Sequence, residues 1–80
     1  MGSMEELISK LKAFLGERAQ RIEAKGAAEI DIVVTEGYEI DQLALELEEQ
    51  IINLVSEDTL AKINLLDQSK TVIRSFSLNQ

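Results

Sequence analysis

The segment EIDIVVTEGYEIDQLALELEEQIINLVSE, residues 29–57, contains the clearest structural signals in this chain. It opens with alternating apolar and polar residues, a pattern that predicts a half-buried strand over residues 29–35. A Glu-Gly pair then interrupts the alternation, and apolar residues begin to recur every three or four positions. This spacing predicts a helix over residues 39–57. The apolar stripe of that helix consists of Ile40, Leu43, Ala44, Leu47, Ile51, Leu54 and Val55.

The region before this segment also has helical periodicity. Apolar residues recur there at spacings of three, four and seven, which predicts an amphipathic helix over residues 4–25. Gly16 lies inside the pattern, so a kink or a division into two shorter helices is the alternative. Residues 1–3 precede a second methionine and are interpreted as a cloning remnant outside the fold. The predicted stripe is Met4, Leu7, Ile8, Leu11, Phe14, Leu15 and Ile22.

The tail, residues 59–79, is predicted to form a β-hairpin whose loop is centred on Gln68 and Ser69. In that register one face of the hairpin is mostly apolar, which supports the pairing. Arg74 is the exception on that face, and we expect its side chain to extend toward an acid of the second helix, where the guanidinium stays hydrated. The predicted pairs are Ala61 with Phe76, Ile63 with Arg74, and Leu65 with Val72.

Together these elements predict a small two-layer α+β domain covering residues 4–80. The element order is helix–strand–helix–strand–strand, with a three-stranded mixed sheet whose strand order stays open. A chain of this length is short of core, so surplus apolar residues suggest a further contact. Either the first helix or a second copy of the chain would cover them. The predicted apolar interaction residues are Leu45 and Ile52, off the main stripe of the second helix, and Val33 and Ile73, on the second face of the sheet.

Charge is distributed unevenly along the chain. Residues 26–61 contain ten acids and no base, and the formal net charge of the whole chain is −7. Such a surface disfavours a nucleic-acid backbone and favours a cationic partner. A solvated acidic face that only aids solubility is the alternative. The predicted acidic interaction face consists of Glu39, Glu46, Glu48, Glu49, Glu57 and Asp58.

The sequence offers little for catalysis. It has no histidine and no cysteine, which are the commonest general base, thiol nucleophile and zinc ligands. The acids of the second helix lack the glycine-containing loop that a calcium site requires. We therefore expect no enzyme activity, no cofactor and no metal site. No apolar run approaches the length of a membrane span, and nothing indicates secretion, so a cytoplasmic location is expected.

Two resemblances concern architecture. The stretch from Glu36 to Ile40 leading into the second helix is similar to the strand–Gly–helix stretch of the alkaline-shock-protein family. The element order resembles that of the MinE family of bacterial division-site factors. The basic partner-binding segment expected from that second resemblance is replaced here by residues 29–36, which carry three acids and no base. No site residue is transferred from either family.

These observations favour a non-catalytic protein–protein interaction or assembly module, expected to form a homodimer. One alternative is an acidic decoy or inhibitor that docks in a basic groove of a protein partner. Another is a peripheral regulator that contacts a membrane surface through the amphipathic first helix. A core role for that helix is favoured over membrane contact, because its acids nearly cancel its bases.

Overall fold

The computed structural model describes residues 4–55 and 59–78, which form one α+β unit with all helices on one face of a mixed sheet. A helix is followed by a short 3₁₀ turn, a β-hairpin, a second helix and a second β-hairpin. The elements are α1 (Met4–Leu15), the 3₁₀ turn (Gly16–Arg18), β1 (Ala19–Gly26), β2 (Glu29–Val34), α2 (Ile40–Leu54), β3 (Ala61–Leu66) and β4 (Val72–Leu78).

The four strands lie in the order β1-β2-β3-β4. The two hairpins are antiparallel, and the central strands β2 and β3 are parallel to each other. A parallel pair needs a crossover connection, and α2 provides it. Since α2 runs opposite to β2 and β3, it runs in the same direction as β4. Of the four strands, α1 packs mainly against β1, and α2 packs mainly against β4.

The core lies between the two helices and one face of the sheet. The predicted alternation of β2 is confirmed, because Ile30, Ile32 and Val34 are all buried on that face. Burying an aliphatic side chain of this size contributes about 1.5–3 kcal/mol. The centre of the main stripe of α2 is likewise buried, and its ends are partly buried against the core. The buried residues of the two helices are Leu43, Ala44, Leu47 and Ile51 from α2, and Leu7, Leu11 and Leu15 from α1.

The prediction of one helix over residues 4–25 is wrong in its second half. α1 ends at Leu15, and the chain then turns through Gly16 at φ +56°, a left-handed conformation that terminates a helix. Residues 19–26 form β1, which pairs antiparallel with β2. The residues of this segment favour a helix, but the segment forms a strand because its hydrogen bonds to β2 pair the edge of β2 that β3 leaves free. The sheet is therefore four-stranded, and the three-stranded order predicted above is corrected.

The second hairpin is confirmed, but its register differs by two residues from the prediction. Ile63 pairs with Phe76 and Leu65 with Arg74. The cause is the loop, where the Asp67 carboxylate accepts backbone N–H bonds from Ser69 and Thr71 at 2.9 and 3.0 Å. This makes the connection longer than a tight turn, and a bulge beside Leu66 absorbs the difference. An even shift preserves which side chains share a face.

Candidate interaction surface along the fourth strand

The two edges of the sheet differ in how readily they could pair with another strand. On β1, Arg21, Glu23 and Lys25 alternate along the strand, and the pairing with β2 is irregular near both ends. Charge and irregularity both hinder the addition of a further strand. The β4 sequence VIRSFSL has Arg74 as its only charge, and its pairing with β3 is regular except beside Val72. The edge of β4 is therefore the one with fewer obstacles to pairing with another strand.

A second stripe runs along α2, separate from the stripe that enters the core. Its members follow one another at alternating spacings of four and three, which keeps them on one flank of a helix. Two of the predicted interaction residues belong to it, and they remain exposed: Leu45 by 55% and Ile52 by 75%. The stripe consists of Asp41, Leu45, Glu48 and Ile52.

Two ion pairs fix the direction in which this flank faces. Arg74 on β4 donates from Nη1 to the Asp41 Oδ1 at 3.3 Å, so the stripe lies on the side of α2 that faces β4. This confirms the predicted course of the Arg74 side chain. On the opposite flank, Arg18 donates from Nη1 to Glu46 Oε1 at 3.2 Å. Leu45, Glu48 and Ile52 therefore border the free edge of β4, and these three residues with that edge are called the β4 surface below.

The predicted acidic face is divided by the same geometry. Glu39 precedes the first residue of α2, and Glu46 is partly neutralised by Arg18. Glu48 and Glu49 are exposed and form no ion pair within residues 4–55 and 59–78. The two remaining acids of that prediction, Glu57 and Asp58, lie outside the described residues.

The other predicted apolar pair lies away from α2. Val33 is on the sheet face that neither helix covers, where it pairs with Leu66, and both are buried. Ile73 is the extra residue of the bulge in β4 and is half-exposed. The structure thus separates Val33 from Leu45 and Ile52, which lie on the helical side. α1 covers neither group, because it packs beside α2 on the core face.

The uncovered sheet face has a polar centre that the sequence analysis did not identify. The Asn64 side chain is only 3% exposed, and its Nδ2 donates to Glu29 Oε2 at 2.6 Å and to Asp31 Oδ1 at 2.8 Å. Lys25 Nζ lies 3.9 Å from the second Asp31 oxygen. One amide on β3 therefore holds two carboxylates of the neighbouring strand β2. The parallel register that aligns Asp31 with Asn64 was the missing information.

Within the described residues, no group of three or more metal-ligating side chains is positioned to hold a metal ion. In the same residues no helix combines the length and apolar character needed to cross a membrane. What the arrangement offers is surface for contact: an unpaired strand edge, the exposed aliphatic side chains of Leu45 and Ile52, and acids that form no ion pair among the described residues.

Comparison with known proteins adds no assignment. No protein-family model, no curated protein and no solved structure matches this chain.

Proposed function

We propose that this chain is a non-catalytic assembly module that associates with a second copy of itself. The observation that supports the proposal is the β4 surface, where a strand edge that is free to pair borders Leu45 and Ile52. Both helices are already engaged with the core, so no element among the described residues is left to cover this surface. Exposed aliphatic side chains bordered by polar ones are typical of protein contact sites.

A measurement of molar mass against concentration tests this proposal. Sedimentation equilibrium is run from low micromolar to high micromolar protein, and we expect the mass to rise from 8.9 kDa toward twice that value. A mass that stays at the monomer value throughout would refute self-association. Repeating the series with a chain that begins at Met4 controls for any contribution of residues 1–3.

A second candidate is suggested by the charge of α2. Its fifteen residues contain no base, and Glu48 and Glu49 form no ion pair among the described side chains. An acidic helix with unpaired carboxylates suits docking in a basic groove of another protein. In this alternative the exposed acids provide the binding energy, and Leu45 and Ile52 contribute only shape.

Ionic strength separates the two candidates. Two copies that each carry a net charge of −7 repel each other, so added salt should strengthen self-association by screening that repulsion. Binding to a cationic protein should instead weaken steeply as salt rises. Sedimentation at low and moderate salt, with and without an unrelated basic protein such as lysozyme, gives opposite trends for the two cases.

The membrane alternative receives no support from the position of α1. Its most apolar residues, Leu7, Leu11 and Leu15, are buried against the sheet and α2. Presenting them to a bilayer would require α1 to leave the core, at a cost of several kcal/mol for burial lost. Flotation with anionic vesicles is the direct test, and we expect the chain to remain with the aqueous fraction.

A further inference from the structure

We propose that two copies join β4 to β4 in antiparallel register about a two-fold axis at Ser75, with their α2 helices side by side. This inference rests on the self-association proposed above and specifies the surface and register through which it occurs. The result is one eight-stranded sheet with all four helices on the same face. The other edge, β1, is excluded because its charges and irregular pairing oppose strand addition.

The position of the axis follows from the side chains of β4. Directly opposite residues in an antiparallel pair share a face, so an axis on a residue, normal to the sheet, keeps both α2 helices on one side. An axis at Arg74 would place two guanidinium groups opposite each other, which is unfavourable. Ser75 is the central residue of β4, and an axis there aligns all seven residues. Arg74 then lies opposite Phe76 of the second copy, a pairing that permits cation–π contact.

Charge complementarity between the copies supports the same register. Glu48 lies seven residues beyond Asp41, about 10 Å further along the helix, which equals about three strand residues. Asp41 is at the level of Arg74 through their ion pair, and α2 and β4 run in the same direction. Glu48 is therefore level with Ser77 of its own strand, which faces Ile73 of the second copy. The unpaired carboxylate of Glu48 thereby comes beside the partly exposed guanidinium of the second copy's Arg74.

The same comparison of positions along α2 and β4 accounts for the exposure of Leu45. Leu45 is about 6 Å beyond Asp41 along α2, close to the level of the axis. The two antiparallel α2 helices therefore bring Leu45 of one copy near Leu45 of the other. A partner of different sequence would need to supply both a matching strand and an apolar helix flank, whereas a second copy supplies both by symmetry.

Disulfide trapping tests the register. The chain has no cysteine, so a single Ser75→Cys substitution introduces one thiol on the axis. Its Cα atoms would be about 4.5–5.5 Å apart across the pair, within disulfide range. Ser77→Cys is the matched control, since Ser77 is also exposed and on the same face, but the two copies would be offset by four residues, about 13 Å. Under mild oxidation we expect covalent dimer at least about tenfold faster from Ser75→Cys than from Ser77→Cys.

A surface substitution tests the helix contact independently. Leu45→Lys should raise the dimer dissociation constant at least about tenfold, because two leucines leave the interface. Gln50→Lys is the control: it adds the same charge to an exposed position of the same helix, on the flank away from β4. It should change the dissociation constant less than about threefold. Matching circular dichroism spectra establish that both variants are folded.

The possible failures are distinguishable. A chain that stays monomeric at every concentration refutes both self-association and this interface. A chain that dimerises while Ser75→Cys and Ser77→Cys cross-link at equal rates, or not at all, overturns the β4 pairing and leaves self-association standing. Insensitivity of the dimer to Leu45→Lys would remove the α2 contact from the interface.

Discussion

Arg18 is the side chain on which the junction between α1, β1 and α2 depends. Its Nε donates to the carbonyl oxygen of Leu15 at 3.2 Å, and its Nη2 donates to that of Phe14 at 2.9 Å. The guanidinium also lies 5.2 Å from the centre of the Phe14 ring. The guanidinium also forms an ion pair with Glu46 on α2. One group therefore caps the last carbonyls of α1 and links the two helices.

We predict that Arg18→Ala lowers the free energy of unfolding by about 2 kcal/mol. The two bonds to helix carbonyls contribute about 1 kcal/mol each. The Glu46 pair is half-exposed and contributes at most about 0.5 kcal/mol, and the contact with Phe14 adds about 0.5 kcal/mol. Water can reach the partly buried carbonyls after substitution, which keeps the total below the sum. Domains of this size have about 4–12 kcal/mol in all, so the loss is readily measured.

Urea unfolding followed by circular dichroism provides the measurement, with Glu46→Gln and Arg18→Lys as comparisons. Glu46→Gln should cost less than about 0.5 kcal/mol, since it removes only the exposed pair. Arg18→Lys keeps the charge but lacks the forked guanidinium, so it should lose about 1 kcal/mol. The reasoning is refuted if Glu46→Gln is as costly as Arg18→Ala, because the ion pair and not the carbonyl capping would then hold the junction.

Three further predictions concern other parts of the fold. Gly16→Ala should lower the free energy of unfolding in urea by about 1 kcal/mol, because a residue with a Cβ is strained at a φ of +56°. No atom lies within 4 Å of the added Cβ, so backbone strain is the only cost expected, and a stabilised variant would contradict this. Asn64→Asp should destabilise by at least about 2 kcal/mol at neutral pH, since it sets a third carboxylate against Glu29 and Asp31; restoration by Asp31→Asn in the double variant is the expected check. Asp67→Ala should cost about 1 kcal/mol by removing the acceptor for two backbone N–H groups of the β3–β4 loop, and an unchanged urea midpoint would show that the loop does not depend on it.

The parts of the fold that could be predicted from sequence are those whose signal is periodic and local. β2 was identified by its alternation and α2 by its stripe, and both are observed within a few residues of the predicted bounds. β1 was missed because its residues are mostly helix formers and Ile22 continues the stripe of α1 at a spacing of seven. Its strand conformation depends on pairing with β2, which a local pattern does not contain.

The interaction surface was only partly predictable for a similar reason. Periodicity identified Leu45 and Ile52 as surplus to the core stripe, and both are exposed. The direction of that flank depends on α2 lying over β4, which the Arg74–Asp41 pair reveals. Val33 was predicted on the second face of the sheet and lies there, on the side opposite the helices and away from Leu45 and Ile52. Asn64 was missed because its partners are more than thirty residues away in sequence.

The parallel pairing of β2 with β3 also has a consequence for synthesis on the ribosome. β2 ends at Val34, whereas the strand that covers its inner edge ends at Leu66. At about 5–20 residues per second, the intervening chain takes about two to six seconds to appear. During that interval the first hairpin is complete, but the backbone groups on one edge of β2 have no hydrogen-bond partner. The nascent chain is therefore most vulnerable to mispairing before its last third has emerged.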